Sequence, residues 1–313
     1  MTEDQGPLHL AYRPMNFGEF IGNEATVNSL KAILKRKEGQ VKSFLFQGPS
    51  GTGKTTLARI IKSELSCSDR DFYEMNMSNT RGIDTIREMI GNVRFAPIGG
   101  KIKIYLLDEA AKLTTDAQNA LLKILEDTPN HVRFILCTTE PEKLINTIKT
   151  RCTIFQVQSL PRSKMLQLLK WVCKEEDIEL PDKHYKEIAS VSEGSPRKAL
   201  NILDQIIDIE NLDDAFEAIL SASIGETEVK QIIDYLMSPE QKSWKKMSVL
   251  IKGIDMTTDK PEKIRLALKK YFGTVFLNRG DDYSYNIMSL FLENFYNSGR
   301  EGLIDSLYLA TKL

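Results

Sequence analysis

The sequence predicts an α/β protein in which a parallel sheet is covered by helices and followed by segments that are helical throughout. Three observations support this prediction. Short apolar runs alternate with amphipathic segments from residue 26 to about 157, and a glycine-rich loop separates the first of these runs from the next helix. Strand-like runs then stop near residue 158. A chain of 313 residues is also long enough for two or three domains.

The elements of the first part follow in a regular order. Helical spacing of apolar residues is found in TVNSLKAILKRK, TTLARIIKSEL, GIDTIREMIGNV and TDAQNALLKILED. Runs typical of buried strands are SFLFQ, FYEMNM, IKIYLLDEA, VRFILCTTE and CTIFQV. The helix TDAQNALLKILED begins beside Thr115 and Asp116, either of which is a suitable N-cap. Strands separated by helices favour a parallel sheet with helices on both faces.

The remainder of the chain shows only helical periodicity. Residues 161 to about 222 contain three or four amphipathic helices, among them RSKMLQLLKWVCKEE and SPRKALNILDQII. Residues 223 to 313 are helical again, without a repeat or a low-complexity linker. We therefore predict three domains, with the bounds 1–158, 159–222 and 223–313.

Composition sets limits on the partners and the compartment. The formal charge of -1 arises from 42 basic and 43 acidic side chains, so any contact with nucleic acid must gather basic residues on one face. The four cysteines are far apart and include no C-x-x-C pair, which argues against a zinc site and a disulfide framework. The polar N-terminus and the lack of a long apolar run indicate no membrane span. We expect a cytoplasmic protein, or one in the host cytoplasm if a phage encodes it.

The segment GPSGTGKT fits the pattern G-x-x-x-x-G-K-[ST] between a strand and a helix, which is the context that a phosphate-binding loop requires. The pattern differs from the G-x-G-x-x-G of dinucleotide-binding folds. Lys54 is expected to bridge the β- and γ-phosphates, and the Thr55 hydroxyl to bind Mg²⁺. The residues expected to contact the nucleotide here are Gly48, Pro49, Ser50, Gly51, Thr52, Gly53, Lys54, Thr55 and Thr56.

Polar side chains end two later strands. Asp108 and Glu109 follow an apolar run, where Asp108 can hold magnesium and Glu109 can polarise an attacking water. A carboxylate pair at this position is also a common helix cap. Thr138 and Thr139 end the next strand, at the edge where ligands bind in open α/β sheets, although threonines are ordinary strand residues as well.

Six segments, in this order, resemble the AAA+ clamp-loader ATPases, the family of the bacterial gamma/tau (DnaX) subunit and the small subunits of replication factor C. The segments are YRPMNFGEFIGNE (12–24), GPSGTGKT (48–55), NTRGIDTIRE (79–88), IYLLDEAAKLTTDAQNALLKILEDTP (104–129), RFILCTTEPEKLINTIKTRC (133–152) and SEGSPRKALNILDQ (192–205). The resemblance implies an AAA+ P-loop NTPase domain, then a small helical lid domain and an all-helical collar. The C-terminal third resembles the family only in composition and length.

The resemblance also implies roles for individual residues, with ATP and Mg²⁺ as cofactors. The residues that would line the adenine pocket are Tyr12, Arg13, Pro14, Ile21 and Gly22. Thr139 resembles the sensor of the γ-phosphate, and Arg197 resembles the lid-domain arginine that reaches the same phosphates.

The segment TRC resembles the family's SRC motif, whose arginine acts on the ATP of the neighbouring subunit. Arg151 would then be an arginine finger, since a guanidinium stabilises charge that develops on the transferred phosphoryl group. Taken without the resemblance, Arg151 is most simply a surface ion-pair partner. Thr150 replaces the usual serine and keeps a hydroxyl group.

The resemblance implies several macromolecular partners. These are the other subunits of a pentamer built from identical and different chains, a sliding clamp, and primer–template DNA. The segment NTRGIDTIRE makes Arg81, Gly82 and Arg87 candidates for contact with the DNA backbone. The expected function is ATP hydrolysis, stimulated by DNA and clamp and coupled to clamp loading in DNA replication.

Departures from the family leave two alternatives open. The cysteine cluster and the long C-terminal extension of the bacterial subunit are missing, which is typical of the short, zinc-less archaeal or phage forms. Ala111 stands where relatives carry Asp or His, but Asp108 and Glu109 remain, so we expect hydrolysis. One alternative is a non-hydrolysing scaffold subunit. The other is a Holliday-junction branch-migration motor, which the lack of a recognisable winged-helix end disfavours.

Overall fold

The fold is given by a computed structural model of the chain. It describes residues 6–36, 38–79, 82–222, 227–238, 242–254, 260–295 and 298–313. Contacts divide the chain into two compact units, Met1–Asp204 and Gln205–Leu313. The three-domain division at residues 158 and 222 stays a prediction.

The first unit is built on a five-stranded sheet. Its strands are β1 Ser43–Gln47, β2 Phe72–Asn76, β3 Lys103–Asp108, β4 Val132–Thr138 and β5 Thr153–Gln156. All pairs are parallel and the order is β2-β3-β4-β1-β5, which confirms the predicted parallel α/β sheet. Since β4 lies between β3 and β1, the carboxyl ends of these three strands meet at one edge.

Nine helices of the first unit surround this sheet or follow it among the described residues. They are α1 Leu8–Ala11, α2 Glu24–Leu34, α3 Lys54–Glu64, α4 Ile83–Val93, α5 Thr115–Glu126, α6 Asn146–Arg151, α7 Arg162–Glu175, α8 Asp182–Val191 and α9 Pro196–Ile206. Helix α9 runs across the boundary between the two units. The helices α7, α8 and α9 lie in the stretch predicted to hold three or four amphipathic helices.

The central strands β1, β3 and β4 are buried on both faces, as predicted, whereas the edge strands are partly exposed. All seven residues of β4 are buried. Alternate residues of β1 point to opposite faces, so that Phe44 and Phe46 join one apolar cluster with Leu57 of α3, whereas Leu45 joins a second cluster with Leu121 of α5. Each cluster therefore fixes helices on its own face relative to the strand ends.

One predicted helix cap is wrong. The N-cap of α5 is Thr114, whose hydroxyl accepts a hydrogen bond from the Ala117 N–H at 3.3 Å, and neither Thr115 nor Asp116 serves as the cap. A cap residue needs an extended backbone, and Thr114 has it with φ -62° and ψ 155°. Asp116 instead lies in the first turn, where its charge favours the positive end of the helix dipole.

The second unit is helical, as the sequence predicts. Its helices are α10 Leu212–Ala222, α11 Thr227–Met237, α12 Trp244–Lys252, α13 Lys260–Arg279, α14 Asp282–Ser289 and α15 Gly299–Ala310. Within α13, the buried Arg265 donates to both carboxylate oxygens of Glu262 and to the Phe291 carbonyl, which fixes the chain after α14 to this helix. In the described ranges, no helix combines the length and the apolar content needed to cross a membrane.

A buried carboxylate fixes the loop between α4 and β3. Asp71 accepts hydrogen bonds from the Ile98 N–H at 2.6 Å, the Gly99 N–H at 2.7 Å and the Ser68 hydroxyl at 3.0 Å. Burial alone would raise the pKa of Asp71, but the three donors outweigh burial and hold this pKa below its usual range. The stabilisation is therefore present above the unfolded-state pKa and is lost as the pH falls towards the folded-state pKa.

We expect Asp71→Asn to lower the free energy of unfolding at pH 7 by about 2 kcal/mol, because the amide cannot accept all three bonds. The difference from the wild type should shrink below about pH 4, where the unfolded-state carboxyl becomes protonated. Urea unfolding at several pH values measures both effects. Asp69→Asn is the control, since the Asp69 side chain is 94% exposed. Equal stability of the wild type and Asp71→Asn at pH 7 would contradict the assignment.

Candidate functional site

A cavity of about 250 Å³ lies in the first unit, at the edge where the strands β1 and β3 end. Its walls come from the loop before α3, from the end of β3, from residues 9–15 and 19–21, and from the helices α7 and α9. The loop residues Ser50 to Thr56 all line the cavity. Gly48 and Pro49 do not, but their carbonyl oxygens hold the lysine of the loop.

Lys54, the first residue of α3, is held inside its own loop. Its ammonium group donates to the carbonyl oxygens of Gly48 at 2.8 Å and Pro49 at 2.7 Å. Burial lowers the pKa of Lys54, because the charged form loses hydration. The first turn of α3 also leaves backbone N–H groups without acceptors within the helix. An anion in the cavity would therefore meet a positive charge and the positive end of a helix dipole.

Thr55 and Asp108 bring two oxygen ligands together at the same edge. The Thr55 hydroxyl donates to the Asp108 carboxylate at 2.8 Å, and both residues line the cavity. Two adjacent oxygens suit Mg²⁺, which usually takes few protein ligands and completes its shell with water and phosphate oxygens. Within the described part of the chain, no group of three or more Asp, Glu, His or Cys side chains could hold a metal by itself.

Glu109 lies next to Thr139 across the strands β3 and β4. The Thr139 hydroxyl donates to the Glu109 carboxylate at the long distance of 3.4 Å. Glu109 has a left-handed backbone, with φ 54°, which costs energy for a residue other than glycine and is frequent at functional sites. Thr138 is fully buried and its hydroxyl accepts the Glu140 N–H at 3.0 Å. Of the two threonines, Thr139 is therefore the one that contacts the acidic pair.

Positive charge is concentrated around the cavity. Arg13 and Arg197 line it together with Lys54. The pKa of Arg13 is lowered by burial first, and then by the charges of Arg59 and Arg197. Among the described residues, neither Arg13 nor Arg197 forms an ion pair with a carboxylate. Carboxylates such as Asp108 line the same cavity, so the site offers cations to a polyanion and oxygen ligands to a metal ion bound with it.

The N-terminal end of α9 touches the loop before α3. Gly51 has φ +71°, and a Cβ atom there would lie 2.2 Å from the Ser195 hydroxyl oxygen and 3.3 Å from the Arg197 Cβ. Only glycine allows this approach with this backbone. Arg197 is thus positioned directly over the loop, as the predicted lid arginine should be, although its role stays a prediction.

The structure brings together four of the five residues predicted to contact the base, and their role stays a prediction. Tyr12, Arg13, Pro14 and Ile21 line the cavity. Gly22 is not part of the wall. It has φ +79°, and a Cβ there would lie 2.5 Å from the Leu160 Cδ1. Gly22 therefore allows the chain to pass close to Leu160, which itself lines the cavity.

Several cavity residues from the helices were not predicted, among them three large apolar ones. Leu168 and Trp171 of α7 and Leu200 of α9 line the cavity beside Tyr12. The rings of Trp171 and Tyr12 meet edge to face at 5.4 Å, and the Tyr12 hydroxyl donates to Glu176 at 2.5 Å. Leu168 and Trp171 are three residues apart and share one helix face, which is the signal in the sequence. Periodicity alone does not show which side of α7 faces the cavity.

Arg151 is far from this cavity. It is the last residue of α6 and precedes β5, whose first residue Thr153 pairs with Phe44 near the start of β1. The phosphate loop begins after the other end of β1, about 13 Å further along the strand. Arg151 donates to Glu126 at 3.2 Å and to the Thr147 carbonyl at 3.1 Å. Its buried Nε has no hydrogen-bond acceptor among the residues that the structure describes.

The candidate DNA-contacting residues lie elsewhere on the first unit. Gly82 is the exposed N-cap of α4, and Arg87 on that helix is exposed and lies 3.5 Å from Asp84. Neither residue lines the cavity. Arg81 lies outside the described residues. Gly82 and Arg87 are therefore both exposed to solvent at or near the start of α4, and their role stays a prediction.

The sequence of this chain is similar to those of several known proteins. Residues 70–161 match the sequence model of the family "DNA polymerase III, delta subunit". Replication factor C small subunit 1 of Pyrobaculum islandicum is 35% identical over 252 residues, which are 78% of this chain and 76% of that protein. The same subunit of Pyrobaculum arsenaticum is 33% identical, with 96% of this chain and 92% of that protein covered.

Two further similarities extend this comparison. DNA polymerase III subunit gamma/tau of Mycobacterium tuberculosis is 33% identical, over 64% of this chain but only 38% of that longer protein. Among solved structures, the Thermotoga maritima RuvB Holliday junction branch migration motor aligns with a TM-score of 0.58 at 21% identity, with 78% of this chain and 86% of that chain covered. Identity this low shows a shared fold alone.

Trp171 offers a direct test of where a nucleotide base lies. The chain has two tryptophans, and Trp171 is 41% exposed at the cavity, whereas Trp244 lies in the second unit. We expect Mg-ATP to cover the Trp171 ring and shift tryptophan emission to shorter wavelength, because the ring loses contact with water. Trp171→Phe should abolish the shift and Trp244→Phe should keep it. A shift that survives in Trp171→Phe would exclude this position for the base.

Proposed function

The chain belongs to the clamp-loader family of the replication factor C small subunits, and on this premise we propose that it is an ATPase subunit of a sliding-clamp loader. It would couple ATP binding and hydrolysis to the placement of a clamp on primer–template DNA in replication. The observation that carries the proposal is a phosphate-binding cavity with its own cations, combined with an arginine, Arg151, that lies at the opposite end of β1. In such a chain, Arg151 would be available to complete the ATP site of a neighbouring subunit.

The cavity suits ATP because its two ends differ in chemistry. Tyr12, Pro14 and Ile21, with Trp171, give an apolar end for the base. When ATP binds, Lys54 would give up its hydrogen bonds to the two loop carbonyls and donate to the β- and γ-phosphates instead. The phosphates carry full negative charge, so they are the stronger acceptors. Thr55 and Asp108 would hold Mg²⁺, which neutralises charge on the phosphates when bound.

Glu109 is the residue proposed to prepare water for attack. Its carboxylate contacts the Thr139 hydroxyl at 3.4 Å and, with several acceptor sites on its two oxygens, can accept another hydrogen bond from water. Thr139 would at the same time sense the γ-phosphate. Both residues come from adjacent parallel strands, so that their distance depends on the turns after β3 and β4.

Arg197 and Arg151 would act on the phosphates from different chains. Arg197 lies over the loop of its own chain, where it can draw α9 towards bound phosphates. Arg151 lies near the opposite end of β1, about 13 Å along the strand from the loop, so it is not placed to do the same. Its guanidinium would instead stabilise the charge that develops on the γ-phosphate of a neighbouring subunit.

The wider assembly is proposed from the relatives. Their names, replication factor C small subunit and DNA polymerase III subunit gamma/tau, support a role in DNA replication. We propose a pentamer that contains identical and different subunits and that holds a sliding clamp and primer–template DNA. Gly82 and Arg87 of α4, with Arg81, would contact the DNA backbone, where a helix N-terminus and cations favour phosphate.

The two alternative functions have less support. A non-hydrolysing scaffold has no need to keep a water-activating carboxylate such as Glu109 in a strained backbone beside Thr139. The branch-migration motor is similar at 21% identity, which is a likeness of fold, whereas the replication factor C relatives reach 33–38%. Native mass spectrometry with ATP separates the loader from the motor, because a loader should form five-membered mixed assemblies and the motor six-membered rings. ATPase turnover separates the hydrolysing subunit from the scaffold.

Two substitutions distinguish the sites of Lys54 and Arg151. We expect Lys54→Ala to lose ATP affinity, because the loop loses its buried cation. Arg151→Ala should bind ATP nearly as the wild type does, but its turnover stimulated by primed DNA and clamp should fall by about a thousandfold, the effect typical of a lost arginine finger. Equilibrium binding and steady-state ATPase assays of the co-purified assembly measure both. Normal stimulated turnover of Arg151→Ala would exclude its proposed role.

Mixing the two variants tests whether Arg151 acts between chains. In a mixed assembly, a subunit with Arg151→Ala keeps Lys54 and can receive Arg151 from a neighbour that carries Lys54→Ala. We therefore expect partial recovery of turnover in the mixture, whereas each variant alone stays inactive. Absence of recovery, in assemblies that native mass spectrometry shows to be mixed, would mean that Arg151 serves its own chain.

A further inference from the structure

A cluster of three charged residues joins the turns that follow β3 and β4. Glu140 accepts a hydrogen bond from the Lys112 ammonium at 2.8 Å and another from the Lys143 ammonium. We call Lys112, Glu140 and Lys143 the carboxylate clip. Its side chains are partly exposed, so each pair by itself would add little to stability. Its position suggests a different use.

Each end of the clip is one turn away from a residue of the proposed hydrolytic site. Lys112 ends the 3₁₀ turn Ala110–Lys112, and its N–H donates to the Glu109 carbonyl at 2.9 Å. Glu140 directly follows Thr139 and precedes the 3₁₀ turn Pro141–Lys143. Because β3 and β4 are adjacent and parallel, the two turns leave the sheet side by side. The clip therefore connects the backbone that carries Glu109 with the backbone that carries Thr139.

Glu140 is itself firmly placed. Its N–H donates to the buried Thr138 hydroxyl at 3.0 Å, and its carbonyl accepts the Lys143 N–H at 3.1 Å. The hydrogen bonds from Lys112 and Lys143 lower the pKa of Glu140 to about 2, so its carboxylate stays charged at neutral pH. Both ion pairs are hence present under the conditions in which the protein would work.

The contact between Glu109 and Thr139 needs such support. At 3.4 Å it is too long to hold two turns in place, and Glu109 has a left-handed backbone that relaxes unless its surroundings hold it. Charge-assisted hydrogen bonds such as those of Glu140 are about twice as strong as neutral ones. The bond from Lys112 crosses between the two turns and resists their separation, whereas the bond from Lys143 lies within the turn after β4 and holds the Glu140 carboxylate in place for it.

We propose that Glu140 is a positioning residue for ATP hydrolysis, which sets the distance between Glu109 and Thr139 by binding Lys112 and Lys143. The inference rests on the proposed ATPase function and adds a residue to it. Glu140 touches neither the cavity nor a phosphate site, so its effect falls on the chemical step and not on nucleotide binding.

Glu140→Gln tests the inference, because the amide keeps the shape and removes the charge. We expect kcat to fall about tenfold, as expected for a small misplacement of a catalytic group. The Kd for ATP should stay within about twofold, since the residues that line the cavity are unchanged. Glu142→Gln is the matched control, because Glu142 is an exposed glutamate in the same turn and has no ion pair among the described residues.

A double-mutant cycle separates positioning from a general structural effect. If the ion pair carries the effect, Lys112→Gln should lower kcat as well, and Lys112→Gln combined with Glu140→Gln should be no slower than Glu140→Gln alone. Strictly additive losses would overturn the inference. The inference would also be overturned if Glu140→Gln lost ATP affinity as much as kcat and had a lower melting temperature. That result would mean that Glu140 has a general structural role.

The turnover of the wild type shows whether a negative result contradicts the proposed ATPase function or only the role of Glu140. If the wild-type assembly binds ATP but has no turnover with primed DNA and clamp, the proposed ATPase function fails and the inference fails with it. If the wild type turns over and Glu140→Gln turns over equally fast, the inference alone is wrong. Reduced kcat of Glu140→Gln with unchanged ATP affinity, and normal kcat of Glu142→Gln, would support it.

Discussion

The parallel pairing of β4 with β1 on one side and β3 on the other is the constraint on which the site depends. Gln47 pairs with Thr138, and Leu107 pairs with Leu136, so the three strands end within about one residue of each other. Residues that are 53 positions apart, Thr55 and Asp108, thereby come within 2.8 Å. The two apolar clusters on the faces of the sheet hold this register, because a slip by one residue would exchange the buried faces.

The same register separates the cations into two groups. Lys54, Arg13 and Arg197 gather at the carboxyl edge beside Asp108, and none of the three cations forms an ion pair among the described residues. Arg151 lies at the start of β5, near the amino edge, and is paired with Glu126. A sheet of parallel strands has two chemically different edges, and this chain carries the cavity at one and Arg151 near the other.

Much of the fold and the centre of the site could be predicted from local patterns. SFLFQ is β1 without change of bounds, and the phosphate loop lies between that strand and α3 as its glycine and lysine spacing requires. Thr114 was missed as a cap because Thr114, Thr115 and Asp116 are all suitable residue types, and only the backbone angles distinguish them. Gly22 does not line the cavity but lies close to Leu160, and the sequence alone does not distinguish a glycine needed for close approach from one that contacts a ligand.

The sequence by itself determined the parallel sheet, the phosphate loop, the acidic pair and the family, because each depends on residues that are near one another along the chain. The tertiary structure decided which threonine meets Glu109, that Trp171, Leu168 and Leu200 close the cavity, and that Glu140 bridges two turns. These contacts join residues from different elements, and their distances depend on strand register and helix orientation. Register and orientation are set by packing over the whole unit, which no short segment encodes.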